Sequence, residues 1–195
     1  MRAVYGRPIP ALWLTWVAIW AAASVGTKRT ARRESLASRL AYHLPLLAGA
    51  VLFAAPRPGG GWLAARLLPR SALVFWTGAA AVAVGLGFAT TARAYLGRNW
   101  SGTVTLKQGH ELIRTGPYRL VRHPIYTGML LAFVGTAVAR GDGRGLAGLL
   151  LVTVSFARKI GVEERFMAER FPQEYPSYKA RTPALIPGLG KALPE

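Results

Sequence analysis

The chain has 195 residues, with 25 Lys+Arg against 8 Asp+Glu, three His, no Cys and 52% hydrophobic residues. That apolar content excludes a disordered basic tail, and the lack of Cys excludes disulfides, thiolate metal sites and cysteine nucleophiles. The apolar residues fall in long uncharged runs, which excludes an ordinary soluble domain.

In chain order, the first run is Pro8 to Thr27, twenty residues without a charge and with Trp13, Trp16 and Trp20. It also reads as a signal peptide, with Arg2 and Arg7 before it and Ala21-Ala22-Ala23 inside it. A cleaved leader would leave the later runs unexplained. Leu40 to Pro56 is a shorter candidate, with Pro45 near its start, and Ser71 to Ala92 is charge-free across twenty-two residues. His123 to Ala139 and Gly145 to Ala157 are the fourth and fifth. The link Arg140-Gly141-Asp142-Gly143-Arg144 reads as a turn between two antiparallel helices, and the fifth helix is predicted to continue through Arg158 and Glu163.

Basic residues crowd the segments between the first and second spans, between the third and fourth, and after the fifth. Five spans then place segments 93–123 and 158–195 in the cytoplasm. Topology and anionic lipid account for the net charge of +17, and no nucleic-acid role is expected. The high Arg and Ala usage is compatible with a bacterial host.

Polar groups are dense over residues 107–128, directly before the fourth span. Gly116-Pro117 predicts a turn, and Pro124 suits the first turn of a helix, which puts His123 at a helix start with Tyr126 three residues on. Tyr118 and Tyr126 also read as interfacial anchors, and His110 and His123 as ordinary hydrogen-bonded residues. No metal site is expected, because no His pair has ligand spacing. No nucleophile elbow, P-loop or dinucleotide fingerprint occurs.

The stretch Gly116-Pro117-Tyr118-Arg119-Leu120-Val121-Arg122-His123-Pro124-Ile125-Tyr126-Thr127-Gly128 resembles the G-x-Y-x-x-x-R-H-P-x-Y-x-G signature of the isoprenylcysteine carboxyl methyltransferase family, in its prokaryotic membrane branch. Glu163-Glu164, Phe171, Tyr175, Tyr178, Arg181 and Ile186-Pro187 resemble that family's tail, with Pro172 in place of its usual glycine. The likeness covers roughly residues 103 to 189.

The resemblance implies an all-α integral membrane protein of about five transmembrane helices, with a cytoplasmic catalytic loop and a helical C-terminal tail. Residues 1–92 would form three spans and 93–195 the catalytic region. It implies S-adenosylmethionine as cofactor, contacted by His110, Glu111, Leu112, Ile113, Tyr118, His123, Pro124, Ile125 and Tyr126. It implies an acceptor contacted by Lys159 and Glu163, although the family usually has Arg where Lys159 stands, and the neighbouring Arg158 is the alternative cation for the acceptor. The acceptor would be an isoprenylcysteine-like or other lipophilic carboxylate entering from the bilayer. In a bacterium the enzyme would sit in the inner membrane with its site facing the cytoplasm. Glu164 is predicted to hold the tail, pairing with an arginine such as Arg181. Phospholipid N-methylation, a sterol-type reductase and a non-enzymatic scaffold or transporter subunit are the competing readings.

Overall fold

The computed structural model describes residues 7–24, 30–55, 60–97, 100, 105–107 and 111–189. The described residues form five long helices: α1 (Pro8–Ala23), α2 (Leu36–Ala54), α3 (Ala72–Leu96), α4 (Pro124–Arg140) and α5 (Gly143–Arg170). A short α6 (Tyr175–Arg181) lies in the tail. Local chemistry sets the helix starts. Ser35, Ser71 and Asp142 cap α2, α3 and α5, their side-chain oxygens accepting the N–H of Ser38, Val74 and Gly145 at 3.1–3.2 Å. The Ser35 cap starts α2 at Leu36, four residues before the predicted Leu40, and Pro45 sits inside the helix without ending it. Pro124 opens α4 as predicted, with His123 at the cap position. The fifth helix runs 28 residues, well past the apolar segment and through Glu163.

α2, α3 and α5 are long and apolar enough to cross a membrane, whereas α1 and α4 are apolar but span 16 and 17 residues. The outward faces are oily: Leu14, Leu47, Leu73, Val84 and Leu150 are exposed, Leu73 at 77%. Apolar surface on this scale suits lipid and not water, and the helices satisfy their own backbone groups. The protein is an all-helical integral membrane protein, with one addition unforeseen from the sequence. A two-stranded antiparallel ribbon joins β1 (Thr30–Arg33) to β2 (Thr105–Lys107), with Arg33 opposite Thr105.

Two close helix crossings build the bundle. α4 packs along α3 at Gly85 and Gly128, where a Cβ on either glycine would run into the other's carbonyl oxygen. Gly78 and Gly135 repeat the arrangement two turns away. Small residues at such points let transmembrane backbones approach and gain dispersion contacts. α2 crosses α5 at Gly49 and Gly148, and the Ser155 hydroxyl donates to the Tyr42 carbonyl at 2.7 Å. Trp13 of α1 donates its indole N–H to Thr136 of α4 at 3.0 Å.

The predicted turn between α4 and α5 is present, with Gly141 at φ +58°. Asp142 is buried there and receives Arg140 at 3.2 Å and Arg144 at 3.6 Å. The same two guanidiniums donate to the carbonyls of Phe53 and Ala55, which closes that end of the bundle onto α2. The polar sequence signature lies at the other end.

Candidate active site

The turn before α4 is shaped by its own residues. Gly116 has φ +56°, and the Tyr95 ring occupies the space a side chain would need. A 3-10 turn over Gly116–Arg119 follows and buries Tyr118. The chain then runs extended beside the tail: the N–H groups of Arg122 and His123 donate to the carbonyls of Pro183 and Ala184 at 2.8 and 3.0 Å. Thr127 donates its hydroxyl to the Leu185 carbonyl, and Tyr178 donates to the Tyr118 carbonyl, both at 2.7 Å. The tail therefore splints the signature turn from outside.

His123 stands between two carboxylates of α5. Its Nδ1 faces Glu163 at 3.5 Å and its Nε2 faces Glu164 at 3.3 Å. With both ring nitrogens turned toward acceptors, the imidazolium is the form that satisfies both. Burial works against that charge, but the hydrogen bonds and charges of Glu163 and Glu164 outweigh it, and the His123 pKa is raised. Tyr126 donates its hydroxyl to Glu163 at 2.5 Å, and its ring stacks on His123 at 5.8 Å. Burial, then the Glu163 charge, pushes the Tyr118 phenol upward, so it stays neutral.

Glu164 does a different job. Arg122 donates to it at 2.9 and 2.5 Å, and the Lys179 ammonium sits 2.8 Å away. Arg122 also donates to the carbonyls of Thr182 and Lys179. Glu164 thus fastens α5 to the signature turn and to α6, the tail-holding role predicted for it. The partner differs: Arg181 donates instead to the Ser177 carbonyl within its own helix. Arg122 is part of the signature but was given no role from sequence, because its long-range partners carry no local signal.

Lys159 and Glu163 lie one turn apart on α5 and face the same cluster. The Lys159 ammonium lies 5.7 Å from the Tyr126 ring centre and 5.3 Å from that of Tyr42 on α2. Its neighbour Arg158 turns away, donating to the Ala41 carbonyl at 3.0 Å and lining a groove between α2 and α5 of about 460 Å³. The contribution of α2 was not legible, since nothing near Tyr42 in sequence marks it.

Of the residues expected at a cofactor, Tyr118 and Ile125 form one buried cluster with Ala92, against which Ile113 and Tyr126 pack. Pro124 is fully buried at the helix start, Leu112 is half-buried and Glu111 is exposed. His110 lies outside the described residues. The structure brings the turn, the start of α4 and the Lys159–Glu163 face of α5 to one place. Among the described residues no cluster of His, Asp or Glu is arranged to hold a metal ion.

The family described as phospholipid methyltransferase matches residues 73–174, just over half of the 195-residue chain. That stretch runs from the first turn of α3 to the residue before α6. The chain is similar to the cobalt-zinc-cadmium resistance protein CzcN of Cupriavidus metallidurans, 34% identical over 109 residues, covering 53% of this chain and 49% of that one. It is similar to protein-S-isoprenylcysteine O-methyltransferase B of Arabidopsis thaliana, 31% identical over 100 residues, covering 50% and 51%. Protein-S-isoprenylcysteine O-methyltransferase of Schizosaccharomyces pombe is 30% identical over 101 residues, covering 50% and 43%. The chain spans about half the length of the curated relatives it matches. The match over α3 to α5, the part that carries the signature turn and the paired glutamates, places this chain in the phospholipid methyltransferase family, alongside the isoprenylcysteine carboxyl methyltransferases that its sequence resembles.

Proposed function

We propose that the protein is an S-adenosylmethionine-dependent methyltransferase that esterifies the carboxylate of an isoprenylcysteine-like or other lipophilic acceptor. The observation that carries this reading is the Tyr126–Glu163 hydrogen bond. It couples a residue of the cofactor set to one of the acceptor pair. The reading assigns the cofactor to Glu111, Leu112, Ile113, Tyr118, His123, Pro124, Ile125 and Tyr126, with His110 completing the set, and the acceptor to Lys159 and Glu163. The catalytic region is 93–195, at the cytoplasmic face of a bacterial inner membrane.

When bound, S-adenosylmethionine supplies a methyl group on a positively charged sulfur, which an acceptor oxygen can displace as a neutral thioether leaves. A carboxylate is already nucleophilic near pH 7, so the protein needs no strong base. Its work is alignment and charge. Lys159 holds the acceptor anion. Glu163, fixed by Tyr126 and His123, sets the orientation of α5 against the signature turn. The Tyr118 phenol, kept neutral by burial, would offer the cofactor a hydrogen-bond donor without adding a charge.

A second reading rests on the family description: N-methylation of a phospholipid amine. An ammonium acceptor suits Glu163 but is repelled by Lys159. Purified protein is tested for binding of S-adenosylmethionine and NADPH side by side, then for methyl transfer to a farnesylcysteine acid and to phosphatidylethanolamine. The proposal expects S-adenosylmethionine binding and methyl ester formation. Methylated amine in place of ester replaces the first reading with the second, and selective NADPH binding removes both.

A further inference from the structure

Tyr42 is a side chain of the N-terminal half that reaches the Lys159 end of the site. It is 1% exposed, and its position is fixed at several points. Its hydroxyl donates to Glu34 just before α2, and the other Glu34 oxygen accepts from Ser38 at 2.8 Å. Its carbonyl accepts from Ser155 of α5. Its ring is tilted against His43 with centres 4.5 Å apart. The carboxylate of Glu34 therefore acts on the Tyr42 hydroxyl and leaves the ring face toward Lys159.

The Lys159 ammonium lies between two aromatic rings, Tyr42 from α2 and Tyr126 from α4. Aromatic faces attract a cation through their quadrupole, yet carry no net charge that would neutralise it. Glu163, one turn on from Lys159 and within reach of its charge, engages Tyr126 and His123 with its two oxygens. The ring faces thus orient the ammonium without placing a further anion beside it. That orientation matters for Lys, whose flexible stem lacks the planar fork of Arg.

We propose that Tyr42, set by Glu34, is a positioning residue for acceptor binding: it holds the Lys159 ammonium against Tyr126, where an anionic lipid headgroup of the carboxylate class meets it. This rests on the acid-acceptor reading above. It makes the departure from Arg to Lys at position 159 workable, because α2 supplies the rigidity that a guanidinium fork would otherwise bring.

The test measures binding of S-farnesyl-N-acetylcysteine and of its neutral carboxamide to the full-length protein in lipid nanodiscs, with S-adenosylmethionine affinity as the check on folding. Tyr42→Leu is expected to weaken the acid about tenfold and the carboxamide less than twofold. Tyr42→Phe keeps the ring and is expected to recover the acid to within about threefold. In a Lys159→Gln background, Tyr42→Leu should add no further loss. Equal losses for acid and carboxamide, or a full Tyr42→Leu effect without Lys159, would overturn the proposal and leave Tyr42 a packing residue. If Tyr42→Leu does not fold, Glu34→Gln takes its place, with an acid-selective loss of about threefold expected; no acid selectivity overturns the proposal. A wild-type protein that binds S-adenosylmethionine but neither farnesyl compound removes the acid-acceptor reading together with this inference. One that binds the acid with Tyr42 uncoupled removes the inference alone.

Discussion

Tyr126 donates its hydroxyl to Glu163 at 2.5 Å, joining the first turn of α4 to α5, the helix that carries the proposed acceptor pair. The bond crosses from α4 to α5 at the polar end of an otherwise oily bundle. Glu163→Gln keeps an oxygen for Tyr126 but loses the charge that faces His123. Turnover is expected to fall roughly tenfold to a hundredfold, with S-adenosylmethionine affinity within about threefold of wild type. Single-turnover rates and cofactor titration separate the two effects. A cofactor loss as large as the rate loss would move Glu163 to the cofactor.

Glu164 should behave differently from its neighbour. It is the carboxylate shared by Arg122, His123 and Lys179. Removing it leaves the Arg122 guanidinium without its anion, and its side chain is only 9% exposed. Glu164→Ala is expected to cost roughly 3 kcal/mol of stability and to expose the tail to protease. Unfolding in mixed micelles and limited proteolysis check this; unchanged stability would contradict the fastening role.

His123 predicts a pH dependence with a definite sign. Its folded pKa is raised above 6.5, so its charged contacts contribute fully below the unfolded value. That contribution is lost as pH rises from about 6.5 through the raised folded value. Wild type should therefore lose stability relative to His123→Asn when pH goes from 5.5 to 8.5. A parallel pH profile for the two proteins would show that the imidazolium is not the folded form.

Five hydrophobic helices and the turn at 140–144 were legible because lipid selects charge-free runs and because Gly141 and Asp142 have local jobs. The start of α4 was legible from Pro124. The ribbon of β1 and β2 was not, because three or four residues carry too little alternation to signal a strand. The start of α2 was misplaced because Ser35, a capping side chain, lies before the apolar run. The site was legible where its residues are close in sequence, as with His123 and Tyr126. The partners of Arg122 and the Lys159 contact of Tyr42 were hidden because they lie 42 to 117 residues away, and Glu34 because its bonds to Ser38 and Tyr42 mark a helix start and not a site. 

Gly85 and Gly128 set the distance between α3 and α4. Gly128→Leu should cost roughly 2 kcal/mol or more, since the obstruction is backbone and cannot rotate away. Because Gly128 closes the signature, S-adenosylmethionine binding should weaken with it. Normal stability in the variant would contradict the close crossing.

The orientation proposed from the basic loops places Ser35 and Ser177 on the cytoplasmic side and Ser71 on the other. Single cysteines at these positions, treated with an impermeant reagent on intact cells, should label at 71 alone. Labelling at 177 would reverse the topology and put the site outside.

The central claim is that the cluster around Tyr126 and Glu163 directs a methyl group to a lipid-borne carboxylate. Its most direct measurement is mass spectrometry of farnesylcysteine acid after incubation with purified protein and S-adenosylmethionine carrying a deuterated methyl. The account predicts one deuterated methyl ester per acceptor, formed by wild type and greatly reduced in Tyr126→Ala and Glu163→Gln. Ester formed equally well by both variants, or an unmodified acid beside a methylated amine lipid, would contradict it.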